Sequence, residues 1–458
     1  MNRVHRFVVG VAVICTIAAM ALTASALAGP KAAGGTSGGG LGSQFDVSKA
    51  GNVTLTMWWL GNQEVPGIEK WMAQTIAKYH ALHPNVTVKT VVESTDTWTQ
   101  TQKTACKGGA GPDIWYNWAG TWSLEQVWSG CTVPNEEVLS PADLKAVPNV
   151  GETQWDGKTW LYPLYRFIYP VVYNKALFAK AHLNPAKPPT NWSQFLAACK
   201  KLQAAGITPL ALGLKDGFGG EILGSATFQK QLFSNYDALI KMVVDGNFES
   251  PTWKSWIERL VQLKPYFNDD VNSITFGDGL GRFQSGKAAM VFGTPGVQAT
   301  IADMVKAGKK VGVMKPPVFG SASYADSLVN TGNGFQVTNW SKNKEVAGSF
   351  LAYMHTPERL NALYAQTGNF PADSRWNPRQ AKLPTDRAML GWLGQKNVNY
   401  PANYYPTDFD VNGNFVVFQG ILGGKMTVDE AAKTYSDVIK KWRQLHSGEV
   451  QNYKKWVA

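Results

Sequence analysis

Between residues 53 and 115 the apolar positions switch repeatedly between two periods. Val53-Thr54-Leu55-Thr56-Met57-Trp58 alternates and is rich in β-branched residues, which predicts a strand. Ile68, Met72, Ile76 and Tyr79 then recur at helical spacing and predict a helix over 68–80, with Pro84 past its end. Val86–Val92 reads as a second strand, and another helix leads through Gly108-Gly109-Ala110-Gly111-Pro112 into a third strand at Asp113-Ile114-Trp115. This succession is the grammar of a doubly wound sheet. Ligands on such sheets bind beyond the carboxyl ends of the strands.

The stretch 157–213 adds a second α/β passage. A Trp/Tyr-rich apolar run ends at Tyr173-Asn174-Lys175, where Asn174 can cap a short helix over 175–181. Pro188-Pro189 forces an extended turn. Asn191 and Gln194 form a capping-box pair, and Gly206 stops the helix they open. Along that helix Trp192, Phe195, Leu196, Cys199 and Leu202 make one apolar stripe, a core-facing surface.

The order of these features resembles the family 1 extracellular solute-binding proteins, the capture subunits of bacterial ABC importers. The match begins with Gly157-Lys158 and Pro163. It continues through Tyr173-Asn174-Lys175, Pro188-Pro189, Trp192 and Phe195 to Gly206-Ile207-Thr208-Pro209-Leu210, about fifty residues with spacings kept. Further along, Phe283-Gln284-Ser285-Gly286-Lys287-Ala288-Ala289-Met290, Ser341-Lys342-Asn343-Lys344-Glu345, Gly368-Asn369-Phe370-Pro371-Ala372 and Gly424-Lys425-Met426-Thr427 continue it. The resemblance implies an α/β, periplasmic-binding-protein-like (type II) fold: two discontinuous lobes joined by a multi-strand hinge, with a ligand cleft between them. It places an N-lobe at 48–165 and 332–376 and a C-lobe at 166–331 and 377–458. The crossings are expected near 164–167, 328–332 and 373–380.

Composition sharpens the setting. A chain of 458 residues with 44% hydrophobic and 17% charged residues is globular and too long for one core. Residues 1–28 read as a secretory signal: basic Arg3 and Arg6, an apolar core from Phe7 to Leu22, and the cleavage site Ala26-Leu27-Ala28. Residues 29–47 read as a Gly/Ser-rich linker, either a tether to the membrane or a loose mature N-terminus. Cys15 lies mid-core behind the bulky Ile14, a poor setting for lipidation. Export allows Cys106 and Cys131 to pair, whereas Cys199 belongs to the buried stripe. The formal charge of +11 falls to +9 without Arg3 and Arg6, and Lys and Arg form no dense block, so an acidic envelope surface is a better partner than nucleic acid. The expected partners are a carbohydrate ligand and ABC permease subunits, for a monomer peripheral to the membrane and needing no cofactor.

Catalytic patterns are missing from the sequence. The six histidines have no metal-ligand spacing, no G-x-S-x-G elbow occurs, and the P-loop-like 281–287 is followed by Ala288 where Ser or Thr would bind magnesium. Asn268-Asp269-Asp270 with Asp278 lacks EF-hand spacing and reads as a solvated turn. The excess lies in aromatics: 18 Trp, 16 Tyr and 20 Phe. Flat rings beside polar side chains suit sugars, whose rings have apolar faces and polar rims. Residues just past strand ends are the candidates: Trp59, Asn62, Gln63, Glu64, Asn117, Trp118, Tyr165, Arg166, Asn333, Asn369, Tyr405 and Asp410, with Trp98, Phe218 and Glu221 behind them. Several sugar binders of the family carry a Trp shortly after the Ala-Ala-Met run; here Gly296 holds that place, with Trp59 and Trp118 as candidate replacements. The function read from this is capture of a small oligosaccharide for import. The alternatives are capture of a polyol, sugar phosphate or peptide, or a secreted carbohydrate-active enzyme.

Overall fold

The computed structural model describes residues 40–458 except 149–150, 294–295 and 396; the expected signal and most of the linker lie outside the described residues. In chain order the strands of the two main sheets are β1 (Val53–Trp59), β2 (Val86–Val92), β3 (Ile114–Asn117), β4 (Tyr162–Ile168), β5 (Val171–Asn174), β6 (Thr208–Ala211), β7 (Ala288–Phe292), β8 (Val311–Met314), β9 (Leu328–Val337), β10 (Phe370–Pro371) and β11 (Asn397–Asn399).

One sheet runs β10-β4-β9-β3-β1-β2, with β11 paired to the start of β9. β1 is parallel to both β2 and β3, the doubly wound arrangement read from the alternating periods. The returning β9 is antiparallel to β3 and β4. The second sheet runs β8-β5-β7-β6. Each sheet is covered by helices, and β3, β5 and β7 are buried throughout, as strands packed on both faces must be. The fold is therefore the type II two-lobe α/β architecture, one sheet to a lobe.

β4 belongs to the first sheet and β5 to the second, so the chain passes between lobes at Tyr169-Pro170. The expected crossing at 164–167 lies inside β4 instead, because its pairing with β9 continues to Ile168. The next passage occupies the segment between β8 and β9, ahead of the expected 328–332.

Local signals behave as their chemistry dictates. The Asn174 side chain accepts from the amides of Ala176 and Leu177, and Asn191 from that of Gln194. Gln194 does not close the box on Asn191; it accepts from the amide and hydroxyl of Thr190. Cys106 and Cys131 form a disulfide, and Cys199 is a buried free thiol. Asp278 caps the helix Phe276–Ser285 through Thr275, and Asp270 pairs with Arg282, so the acidic loop is engaged internally. The end of the expected linker is not loose: Val47 is buried, and the Ser43 amide donates to Asp143 at 2.9 Å.

Candidate functional site

β1 ends in a turn that delivers Glu64 to the boundary between the lobes, and β3 ends where Tyr116 and Trp118 face it. The Trp118 indole N–H donates to Glu64 Oε1 at 2.7 Å, and the Tyr116 hydroxyl to the same oxygen at 2.9 Å. Tyr116 stacks on Tyr165 of β4 with ring centroids 6.4 Å apart, and Trp118 meets Tyr116 and Trp122 edge-on. Aromatic walls around one carboxylate thus form at adjacent strand ends of the first sheet.

Tyr169, at the crossing, extends this group towards the second lobe. It stacks on Tyr400 at 4.8 Å, and the Tyr400 hydroxyl donates to Glu221. Glu152 accepts from the Asn403 side chain at 2.8 Å. Burial is the main reason that the Tyr169 hydroxyl is held well above its usual range, and the charges of Glu221, Glu64 and Glu152 add to it.

Burial dominates the acidity of these carboxyls. It raises Glu64 to about 7 against the opposing donors Trp118 and Tyr116. It raises Glu152 to about 7 and Glu221 to about 8, and Glu221 also feels the charge of Glu64. Among the described residues no Lys, Arg or His contributes to any of the three. Arg166, half-buried at the same boundary, makes no side-chain hydrogen bond with another described residue. It lines a recess of about 80 Å³ with Glu152, Asn330 and Asn399. The site therefore offers aromatic faces, neutral donors and hydrogen-bond acceptors, with one cation at its edge. Among the described residues no group of His, Cys, Asp and Glu is arranged to hold a metal ion.

Of the sequence candidates, the fold gathers Glu64, Trp118, Tyr165 and Arg166, and it adds Glu221 from the weaker set. Most of the others are taken up elsewhere in the fold. Trp59 is buried and lines a groove with Met72, Ile76 and Val88. Asn62 accepts from the amides of Gly67 and Glu69 at the start of helix Ile68–Leu82. Gln63 donates to the Glu93 carbonyl and accepts from the Thr95 amide. Asn117 donates to Gln336, and Asn333 accepts from the Ala119 amide. Tyr405 and Asp410 are buried, their side chains bonded to Gln229 and Asn414, and the Thr121 hydroxyl donates to the Tyr405 carbonyl. Trp98 is wholly buried, and Phe218 packs edge-on against Phe415. Asn369 is buried with neither amide atom hydrogen-bonded among the described residues.

Sequence reasoning missed Tyr116, Glu152, Tyr169 and Tyr400. Tyr116 and Tyr169 carried a signal, one beside Asn117 at a strand end and the other just past β4. Glu152 and Tyr400 had none, because their loops reach the site only through the tertiary fold.

Gly296 has a physical counterpart. Its φ is +73°, and a Cβ built there would lie 2.6 Å from Cδ of Pro66, which follows Glu64 by two residues. The lobes touch where some sugar-binding relatives carry a Trp.

Comparison with known proteins agrees with this architecture. Residues 61–359 match the model of the bacterial extracellular solute-binding protein family. A protein of Brucella abortus (strain 2308) named as a binding protein is 25% identical over 334 residues, 67% of this chain and 72% of that one. The sn-glycerol-3-phosphate-binding periplasmic protein of Yersinia pestis bv. Antiqua (strain Antiqua) is 27% identical over 243 residues, 49% of this chain and 52% of its own length. Among solved structures, a chitin oligosaccharide binding protein superposes with a TM-score of 0.76 at 20% identity, covering 85% of this chain and 98% of that one. The chain belongs to the bacterial extracellular solute-binding protein family.

Proposed function

We propose that this protein captures an uncharged small oligosaccharide between its lobes and hands it to the permease of an ABC importer. The observation that carries this reading is the interlobe group of Glu64, Tyr116, Trp118, Tyr165 and Tyr169 with Glu221 and Glu152. Ring faces match the apolar faces of a sugar, and carboxylates accept from its hydroxyls. Contacts to both lobes stabilise the closed form, the differential affinity that a hinge-bending receptor requires. The protein works as a monomer outside the cytoplasmic membrane, held there at most by its N-terminus, and makes or breaks no bond.

The glycerol-phosphate-binding relative supports a second reading, with Arg166 meeting a phosphate. Three buried carboxyls oppose it, since a phosphate dianion beside them is tolerated only if they are protonated, which costs free energy as pH rises above about 7. Thermal-shift titration with cellobiose, xylobiose, N,N′-diacetylchitobiose and sn-glycerol 3-phosphate separates the readings. A rise in melting temperature with a disaccharide alone supports sugar capture, and a rise with the phosphate alone replaces it. Products after prolonged incubation with the disaccharides would indicate an enzyme instead.

A further inference from the structure

Gln298 and Asn369 are 1% and 0% exposed, yet all four of their side-chain polar atoms lack a hydrogen-bond partner among the described residues. They come from different lobes. Gln298 lies in the first turn of helix Val297–Lys306, which follows β7 of the second sheet, and Asn369 directly precedes β10 of the first. Their segments touch: a Cβ at Gly368 would lie 3.0 Å from the Gln298 carbonyl carbon. The turn that carries Glu64 joins the same junction, through Pro66 against Gly296 and Gly67 against the Gln366 carbonyl.

Buried donors and acceptors left unpaired forfeit their hydration without compensation. Two amides in that condition, on touching segments of the two lobes, penalise closure of the empty protein and favour closure around a group that satisfies them. The two amides present two acceptor oxygens and two donor NH2 groups. An ionised phosphate has no hydrogen to give the oxygens. A single hydroxyl has one, which leaves an amide oxygen unpaired. Two adjacent hydroxyls supply two hydrogens and enough lone pairs for both NH2 groups.

Building on the sugar-capture reading, we infer that Gln298 and Asn369 form a clamp for a vicinal diol of the sugar ring, one amide from each lobe. The clamp also holds the empty protein open.

The test uses Gln298→Met and Asn369→Leu, singly and together, in the mature chain. Small-angle scattering without sugar reads the clamp directly: the double variant is expected to be more compact than the wild type. Tryptophan-fluorescence titration with cellobiose, xylobiose and N,N′-diacetylchitobiose is expected to show each single variant losing affinity about tenfold or more for whichever disaccharide the wild type binds. Unchanged compactness with affinity within twofold overturns the clamp. So does a melting temperature that falls by several degrees at unchanged compactness, the mark of amides bridged by internal water. Should the double variant not fold, Gln298→Met, which nearly keeps the side-chain volume, carries both measurements alone. If none of the three disaccharides binds the wild type, the sugar reading fails while scattering still decides the clamp.

Discussion

The Trp118 indole N–H and the Glu64 carboxylate meet at 2.7 Å, in a bond between the ends of two neighbouring strands. The bond fixes the ring edge-on to Tyr116 and aims a buried carboxylate at the lobe boundary. Trp118→Phe keeps the apolar face and removes the donor. The expected result is a loss of sugar affinity of about tenfold with little change in melting temperature, read by calorimetric titration. A large fall in stability with unchanged affinity would make Trp118 a packing residue.

Closure should depend on pH with a definite sign. Glu64 and Glu152 stand near 7 and Glu221 near 8 where burial has stripped their water, against an ordinary 4.5 when hydrated. A raised carboxyl binds more protons closed than open, so closure is favoured at low pH and weakens as pH rises from about 4.5 to 8. The effect is at most on the order of 3 kcal/mol for Glu64. Scattering across pH 5 to 8.5 should show the empty protein becoming less compact.

Glu64→Gln should flatten that profile. The amide oxygen still accepts from Trp118 and Tyr116, but no charge remains to desolvate. A profile as steep as in the wild type would assign the dependence to Glu221 and Glu152.

Gly296→Trp tests the contact that takes the place of the absent ring. The residue sits at φ +73°, which side chains rarely adopt, and its Cβ would strike Pro66. The variant is expected to close less fully and bind sugar more weakly. Gained affinity would mean that the lobes re-pack around a restored platform.

The Cys106–Cys131 bridge closes a loop over a sequence separation of 25 that includes β3 and Trp118. In the chain-entropy model it contributes about 3–4 kcal/mol. Cys106→Ser with Cys131→Ser should lower the melting temperature by several degrees, measured by calorimetry without reductant.

The fold was legible in this sequence because its evidence is local and repeated. Alternating apolar residues at 53–59, helical spacing at 68–79 and the caps Asn174 and Asn191 each act within a few residues, and each backbone segment follows its own pattern. The site was legible just past strand ends, as at Glu64 and Trp118, and in the aromatic strand that leads to the crossing, as at Tyr165 and Arg166. Asn62, Gln63 and Asn117 also follow strand ends, but their short amide side chains are taken up by nearby backbone and by Gln336. Glu152 and Tyr400 reach the site from segments far apart in the chain, and no spacing records that. Sequence alone determined the first three strands, the Asn174 and Asn191 caps and the family. Which carboxyls lose their water, and which buried amides stay unpaired, was decided by tertiary structure, because desolvation depends on what two distant surfaces exclude when they meet.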